Sequence, residues 1–346
     1  MTVYPLYCLF IIKKRVSYLS ISLQGENVKK VFITDTLTDP YIEKEVLGDA
    51  ISSTPHEGIE VLLVWHKKIT NEFIDTFPNL KAMVRYGVGY DVFQDLEYAK
   101  QKGIYVSNTP DYGTDEVSDT AIAMIMNIAR GITRYDYLCR DYTDGSWQSN
   151  TLKAIKRTSD YKLGVIGAGR IGGSVVLKAN ALRFQTYFYD PYLSCGTEKM
   201  LGAKRMESLD ELLATCDIIS VNCPLNKETN AMIDERFIAK MKKGASLVNT
   251  ARGGIVKDLD VFYEPLKSSH LNCVNLDVIP NEPPKNGMMI DAWRAKERWL
   301  DGRFIINPHA AFYSDKAYFE MRQKAALNAK RVLDGKKPHN IVNGLV

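Results

Sequence analysis

The stretch Leu163-Gly164-Val165-Ile166-Gly167-Ala168-Gly169-Arg170-Ile171-Gly172 decides how the rest of the chain is read. A short apolar run of strand character ends in Gly-x-Gly-x-x-Gly, which opens a helical pattern. The three glycines serve different purposes. One makes the tight turn, the next lets backbone approach a pyrophosphate, and the third allows close helix–strand packing. The N-terminus of the following helix adds free N–H donors and the positive end of its dipole. Gly167, Gly169, Arg170, Ile171 and Gly172 are therefore expected to cradle a dinucleotide. Asp190 ends the next strand, 18 residues beyond Gly172. A carboxylate there accepts from both ribose hydroxyls and repels a 2′-phosphate, which favours NAD over NADP. Pro191-Tyr192 after it brings no arginine to hold that phosphate.

Outward from this motif, short β-rich runs alternate with helical patterns in both directions, the rhythm of parallel sheets covered by helices. Towards the N-terminus, Val31–Thr34, Ile59–Val64, Ala82–Val84 and Ile104–Val106 read as strands, with a helix over Val92–Lys102. A long helix is predicted from Asp115 to Arg130, with a broad apolar face at Val117, Ala121, Ile122, Met124, Ile125 and Ile128. A polar stretch with Gly145, Ser146 and Ser149 leads into the glycine-motif series. There Leu163–Ile166, Thr186–Tyr189, Ile218–Asn222, Ser246–Asn249, Val274–Asp277 and Phe304–Ile306 are the expected strands. Ser208-Leu209-Asp210-Glu211 has capping-box spacing. Ser314 is placed to cap a last helix running to about Leu333, which Gly335 can end.

The 346 residues fit two domains, and 45% hydrophobic with 25% charged residues is ordinary globular composition. A formal charge of +4 without a basic stripe excludes a dedicated nucleic-acid binder and suits an anionic small substrate. The six cysteines (8, 139, 195, 216, 223 and 273) include no Cys-x-x-Cys pair. That points to a reducing, cytoplasmic setting, no structural metal, and cysteines that act mostly as buried small hydrophobes. The apolar run Tyr4 to Ile12 precedes Lys13-Lys14-Arg15, the wrong order for a signal peptide, and it is too short to span a bilayer. Residues 1–27 are read as a disordered extension, with the fold beginning near Val28 and no membrane segment.

Blocks along the chain resemble the D-isomer-specific 2-hydroxyacid dehydrogenase family. They are Val84-Arg85-Tyr86-Gly87-Val88-Gly89-Tyr90-Asp91, Asn108-Thr109-Pro110, the glycine motif, Cys223-Pro224-Leu225 with Thr229, Val248-Asn249-Thr250-Ala251-Arg252-Gly253-Gly254, Leu276-Asp277-Val278 with Glu282-Pro283, and Pro308-His309-Ala310-Ala311. Phe188-Tyr189-Asp190-Pro191-Tyr192 and Pro308 to Ser314 look closest to the C-terminal-binding-protein branch. The resemblance implies an α/β protein with two Rossmann-like or flavodoxin-like domains, each with a parallel sheet, and a cleft between them. It places a discontinuous substrate domain at 28–108 plus 312–346, an NAD-binding domain at 109–311, and implies a homodimer.

The implied reaction moves a hydride between nicotinamide and C2 of a small 2-keto or 2-hydroxy acid while a proton moves at the C2 oxygen. Arg252 follows a strand and precedes Gly253-Gly254; its planar fork suits a carboxylate and the adjacent carbonyl oxygen. His309 follows the strand Phe304–Ile306 and has the natural titration range for a proton shuttle. By resemblance Glu282 hydrogen-bonds that histidine, raising its pKa and fixing its orientation. Val88 and Gly89, again by resemblance, offer backbone N–H groups to the substrate carboxylate. The resemblance also implies that Thr114, Cys223, Pro224, Thr229, Thr250, Ala251 and Asp277 join the glycine motif and Asp190 around the cofactor. Trp65-His66-Lys67 ends a strand and could line the pocket from the other side; His56, His270 and His339 are expected at the surface.

Two departures from the family pattern stand out. Asn222 replaces the histidine many relatives carry before Cys/Val-Pro-Leu, and the segment between Glu282 and His309, with Met288, Met289, Trp293 and Trp299, is longer than usual. A second reading, an NAD(H)-sensing dimeric interaction protein with little turnover, is weakened by the lack of anything resembling an appended regulatory tail. The lack of a further C-terminal domain argues likewise against an enzyme regulated through one.

Overall fold

The protein is described by a computed structural model, covering residues 29–35, 39–140, 147–149, 151–153 and 155–346. The expected extension over 1–27, its Tyr4–Ile12 run, Cys8, the start at Val28, and Gly145-Ser146 lie outside those residues.

Two parallel sheets organise the chain. The first contains β1 (Val31–Ile33), β2 (Ile51–Ser52), β3 (Val61–Val64), β4 (Ala82–Arg85) and β5 (Tyr105–Ser107) in the order β2-β1-β3-β4-β5. The second contains β6 (Lys162–Ile166), β7 (Gln185–Tyr189), β8 (Lys204–Arg205), β9 (Ile218–Val221), β10 (Ala245–Asn249), β11 (Leu271–Leu276) and β12 (Phe304–Ile306), ordered β12-β11-β10-β9-β6-β7-β8. Every strand pair is parallel. The first order is flavodoxin-like and the second Rossmann-like, as expected. Each reverses direction once, between β1 and β3 and between β6 and β9, and ligands of such sheets gather at the strand carboxyl ends beside the reversal.

Strands buried on both faces read as nearly continuous apolar runs: Val61–Val64 and Ile218–Val221 are fully buried, the latter interrupted only by Ser220. The helix Thr114–Arg130 turns Val117, Ala121, Met124, Ile125 and Ile128 inward at helical spacing. It packs with the helix Arg170–Ala181 over one face of the second sheet. Gly131, at φ 65°, ends it with N–H bonds to the carbonyls of Asn127 and Ile128. The last helix, Asp315–Leu333, returns to the first sheet, laying Ala317, Met321, Ala325 and Ala329 against β3 and β4. Ser314 caps it through the N–H of Ala317, and Gly335, at φ 74°, follows its end.

Several details differ from the sequence reading. The two-residue strands β2 and β8 escape it, because a pair of residues has no periodicity to read. The helix expected over Val92–Lys102 spans only Leu96–Gln101. Asp95 accepts from the N–H of Tyr98 as its cap, while Gln94 is held by the carbonyl of Ile69. Ser208 accepts from the N–H of Glu211 as a capping box requires, but Glu211 returns its bond to Glu207, one residue early. His270 is half-buried with Nε2 on the carbonyl of Ile238, not a free surface residue; His56 and His339 are exposed. Cys216 and Cys273 are buried, Cys139 and Cys223 half-buried, and Cys195 exposed, all as free thiols.

A buried ion pair joins distant parts of the first unit. Arg322 of the last helix donates to Glu43 of the helix Tyr41–Leu47, with side chains 3% and 0% exposed. The Tyr86 hydroxyl donates to the same carboxylate at 3.0 Å. Burial, then the charge of Glu43, push the Tyr86 phenol well above its usual range, so it stays a donor. Among the described residues no helix is long and apolar enough to cross a membrane.

Candidate active site between the two sheets

The glycine turn fits the reading of its three positions. A side chain at Gly172 would put its Cβ 1.9 Å from the carbonyl oxygen of Gly167, and one at Gly167 would meet the backbone of Cys223 at 2.8 Å. A Cβ at Gly169 would meet nothing within 4 Å, so this glycine fronts open space where a ligand can approach. Asp190 accepts from the N–H groups of Ala168 and Tyr192 at 2.9 and 3.0 Å. Its carboxylate keeps capacity for ribose hydroxyls.

Two polar atoms just beyond strand carboxyl ends, on the same edge of the sheet as this turn, are buried and unpartnered: Asn222 Oδ1 after β9 and Thr250 Oγ1 after β10. Buried polar atoms are normally paired, and a dinucleotide laid across the carboxyl ends of β6, β9 and β10 would meet both. The residues present thus fit NAD(H), and Asn222 offers an acceptor at the position where the family pattern has a histidine. The hydroxyl of Thr229 is differently engaged, donating to the carbonyl of Pro224 at 2.6 Å and closing the 224–229 loop. Thr114 is half-buried at the first turn of its helix, Arg170 is exposed, and Ile171 is half-buried.

An arginine does lie beside Asp190, contrary to the local reading. Arg205 on β8 donates to the carbonyls of Asp190, Leu193 and Ser194 and pairs with Glu198. These partners occupy its donors, which leaves the acidic character of Asp190 in command.

Arg252 is set by a local turn. Asn249 accepts from the N–H of Ala251 and donates to the carbonyl of Arg252, clamping the segment after β10. Gly253 lies so close to Ile279 that a Cβ would fall 1.9 Å from its carbonyl oxygen. The guanidinium then reaches to the first unit, pairing with Asp91 at 3.1 Å and lying over Gly89.

At Gly89 the loop after β4 presents a pair of donors. The carbonyl of Gly87 accepts from the N–H of Thr109 at 3.1 Å, and the carbonyl of Val88 accepts from the side-chain amide of Asn108 at 2.6 Å. In a trans peptide the N–H points opposite the carbonyl. The N–H groups of Val88 and Gly89 therefore face away from Asn108 and Thr109. Among the described residues neither finds a partner.

Arg85, at the carboxyl end of β4, is a site residue to which sequence alone assigns no role. It is the last residue of β4, whereas Arg252 lies three residues beyond the end of β10. Its Nε is buried without a partner, while Nη1 donates to the carbonyls of Val64 and Tyr86. Burial, then the nearby charge of Arg252, push it down to about 10. It remains cationic at neutral pH. Tyr112 stands beside both arginines, its hydroxyl pushed up to about 12 by burial.

His309 follows β12 at φ 55°, in the left-handed region that strains a side-chain-bearing residue. Its N–H is held by the carbonyl of Asp277 at 2.9 Å, and the buried Asp277 carboxylate accepts from the N–H groups of Ala310 and Ala311. Burial raises the Asp277 carboxyl above its ordinary range despite those bonds. Nδ1 of His309 meets Oε2 of Glu282 at 2.8 Å, and Oε1 of Glu282 accepts from the N–H of Ile279. Partial burial alone would raise Glu282; its bond with His309, the charge there, Ile279 and the charge of Arg252 outweigh that and hold it below the usual value.

The expected loop from the opposite side is present. Asp35 after β1 accepts from the N–H groups of Trp65, His66 and Lys67 after β3, across the reversal point of the first sheet. Partial burial, then the charge of Arg85, lower the His66 imidazole below its ordinary value, and the charges of His309 and Glu282 also act on it. His66, Arg85, Arg252, Glu282 and His309 thus share one electrostatic neighbourhood. Among the described residues, no group of three or more His, Cys, Asp or Glu side chains is placed to hold a metal.

Comparison with known proteins agrees with this geometry. Residues 122–311 match the family description "D-isomer specific 2-hydroxyacid dehydrogenase, NAD binding domain". The chain is 33% identical over 325 residues to D-3-phosphoglycerate dehydrogenase of Methanocaldococcus jannaschii, covering 91% of this chain and 59% of that protein's length. It is 32% identical over 280 residues to glyoxylate reductase of Thermofilum pendens, covering 80% of this chain and 78% of the relative. The solved D-lactate dehydrogenase of Aquifex aeolicus, complexed with NAD and lactic acid, superposes with a TM-score of 0.75 at 29% identity, over 91% of this chain and 99% of that one. A sheet order, a glycine turn and two orphaned polar atoms lead to the same place as these likenesses: the chain belongs to the D-isomer specific 2-hydroxyacid dehydrogenase family, with NAD(H) as its cofactor.

Proposed function

We propose that the protein reduces a small 2-keto acid to the D-2-hydroxy acid, or runs the reverse, in a cleft between a substrate unit (28–108 plus 312–346) and an NAD-binding unit (109–311). The observation that carries this reading is the 2.8 Å pair of His309 and Glu282 in the same charged neighbourhood as Arg252.

NADH, when bound, supplies the hydride. The chain's part is positional and protic. Arg252 and the N–H groups of Val88 and Gly89 hold the substrate carboxylate, and the Arg252 fork also polarises the C2 carbonyl. Nε2 of His309 gives its proton to the C2 oxygen as the hydride arrives, or takes it back in the oxidative direction. Glu282, on Nδ1, fixes the ring orientation. Arg85, with its unpartnered Nε, adds positive charge on the first-sheet side.

The test follows NADH absorbance over pyruvate, glyoxylate, hydroxypyruvate, longer-chain and phosphonylated 2-keto acids, with chiral analysis of the product. Consumption of at least one acid with D product supports the reading. NADH binding without turnover on any acid would favour a dinucleotide-sensing protein instead, and L product would reverse the assigned substrate orientation.

A further inference from the structure

Behind the N–H pair of Val88 and Gly89, on the side away from Arg252, lies a cavity of about 480 Å³ within the range of small-ligand sites. It opens where the chain leaves the first sheet. Asn108 and Thr109 form one wall, the last helix the second, and the segment from Lys336 to Asn340 the third.

Its charge is unbalanced. Asp111 is met by Lys324 at 2.8 Å and Asp334 by Lys330 at 3.1 Å. That leaves Arg331 and Lys336 without an acidic partner among the described residues. Arg331 spends only Nε, on the carbonyl of Lys337. Leu327 adds an apolar patch to the same wall and is 46% exposed. Two uncompensated cations beside an exposed leucine suit an anion with a short apolar body.

The wall is not passive. The side-chain amide of Asn108 holds the carbonyl of Val88, and its backbone N–H is held by the carbonyl of Asn340 at 3.3 Å. Thr109 holds the carbonyl of Gly87 through N–H and that of Arg85 through its hydroxyl at 3.0 Å. The residues that line the cavity therefore also orient the peptides of the 85–89 loop. Asn328 stitches the third wall to the last helix by exchanging two bonds with His339. A ligand drawing Arg331 and Lys336 inward would pull on that stitched segment and, through Asn340 and Asn108, on the peptide of Val88.

We propose that this cavity binds a small organic anion bearing a carboxylate or phosphate on a short apolar body, and that its occupancy changes the affinity of the Val88–Gly89 donor pair for substrate. The second half rests on the reading of that pair given above; the first does not.

The experiment uses the full chain with phenyl phosphate, phenylacetate and inorganic phosphate as probes. NADH and oxamate, an unreactive 2-keto acid analogue, are present to fill the catalytic cleft. Melting temperature is compared among the wild type, Arg331→Gln/Lys336→Gln and Leu327→Glu, the last putting a negative charge in the apolar wall. A probe at about ten times its Kd should raise the wild-type Tm by roughly 3 °C and leave both variants unmoved. The probe that acts, phosphate or carboxylate, identifies the head group. The same probe should change oxamate affinity in the wild type at least about threefold, and not in the variants.

Equal Tm shifts in all three proteins, or none with any probe, would overturn the site. A wild-type shift with unchanged oxamate affinity would overturn the coupling. Absence of turnover on every keto acid would leave the Tm comparison intact, so failure of the proposed reaction and failure of this site are distinguishable.

Discussion

The guanidinium of Arg252 occupies the space that a side chain at Gly89 would need: a Cβ there would lie 1.7 Å from Nη2 and 2.5 Å from Cζ. Two residues from loops that follow different sheets thus contest one volume, and a side chain at position 89 would push the Arg252 guanidinium out of its present place. Gly89→Ala should displace Arg252 from Asp91 and lower kcat/KM for the best keto acid by about 100-fold, since misplacement of a binding group by about 1 Å has that scale. Circular dichroism and NADH affinity should stay at wild-type values. An active Gly89→Ala enzyme would mean that Arg252 works from another position.

Glu282 is held below its ordinary value of 4.5, so its folded form binds protons less readily than the unfolded chain. Its stabilising contribution is complete above that ordinary value and is lost as pH falls through the depressed one. Glu282→Gln should flatten this part of the acid limb of Tm against pH. It should also reduce kcat by about 10- to 100-fold at neutral pH with KM nearly unchanged, because the ring of His309 loses its orienting carboxylate. A variant with the wild-type pH profile of both Tm and kcat would remove Glu282 from this role.

The Glu43–Arg322 pair tests packing apart from chemistry. Glu43→Ala leaves Arg322 and the Tyr86 hydroxyl buried without their acceptor, and should cost about 3–5 kcal/mol in chemical denaturation. Glu43→Leu combined with Arg322→Met should recover much of that loss, because no uncompensated charge stays buried. A double variant as unstable as Glu43→Ala would contradict the electrostatic account.

Asp190→Ser removes the carboxylate that we propose to face a ribose 2′ position. Preference should move towards NADPH by about tenfold or more in the ratio of kcat/KM values. The gain should stay limited, because Arg205 is held by three carbonyls and Glu198. An unchanged NADH-to-NADPH ratio would place cofactor choice elsewhere.

What can be read from sequence follows the range of the interaction. The glycine turn, the helix Thr114–Arg130 and the cap at Ser314 are local, and their residue types and spacing are enough to place them. Arg252 and His309 are legible because each follows a strand and lies beside a distinctive turn. Arg85 ends β4 itself, and its significance comes from an unpartnered Nε and from Arg252, 167 residues away. Glu43 and Arg322 lie 279 residues apart and Asp35 reaches loop donors about 30 residues on, so no window could pair them. Arg205 escapes a local reading because β8 is two residues long and joins β7 only at the edge. The segment after Glu282 includes the helix Met288–Arg294, whose Met289, Ile290 and Ala292 are buried.

The proposed proton transfer by His309 at C2 is tested most sharply by kcat on the best 2-keto acid for wild type and His309→Ala, with NADH affinity determined in parallel. The expected result is a fall in kcat of about 10² to 10⁴, the scale of general acid–base catalysis, with NADH binding unchanged. A His309→Ala protein that turns over as fast as the wild type would contradict it.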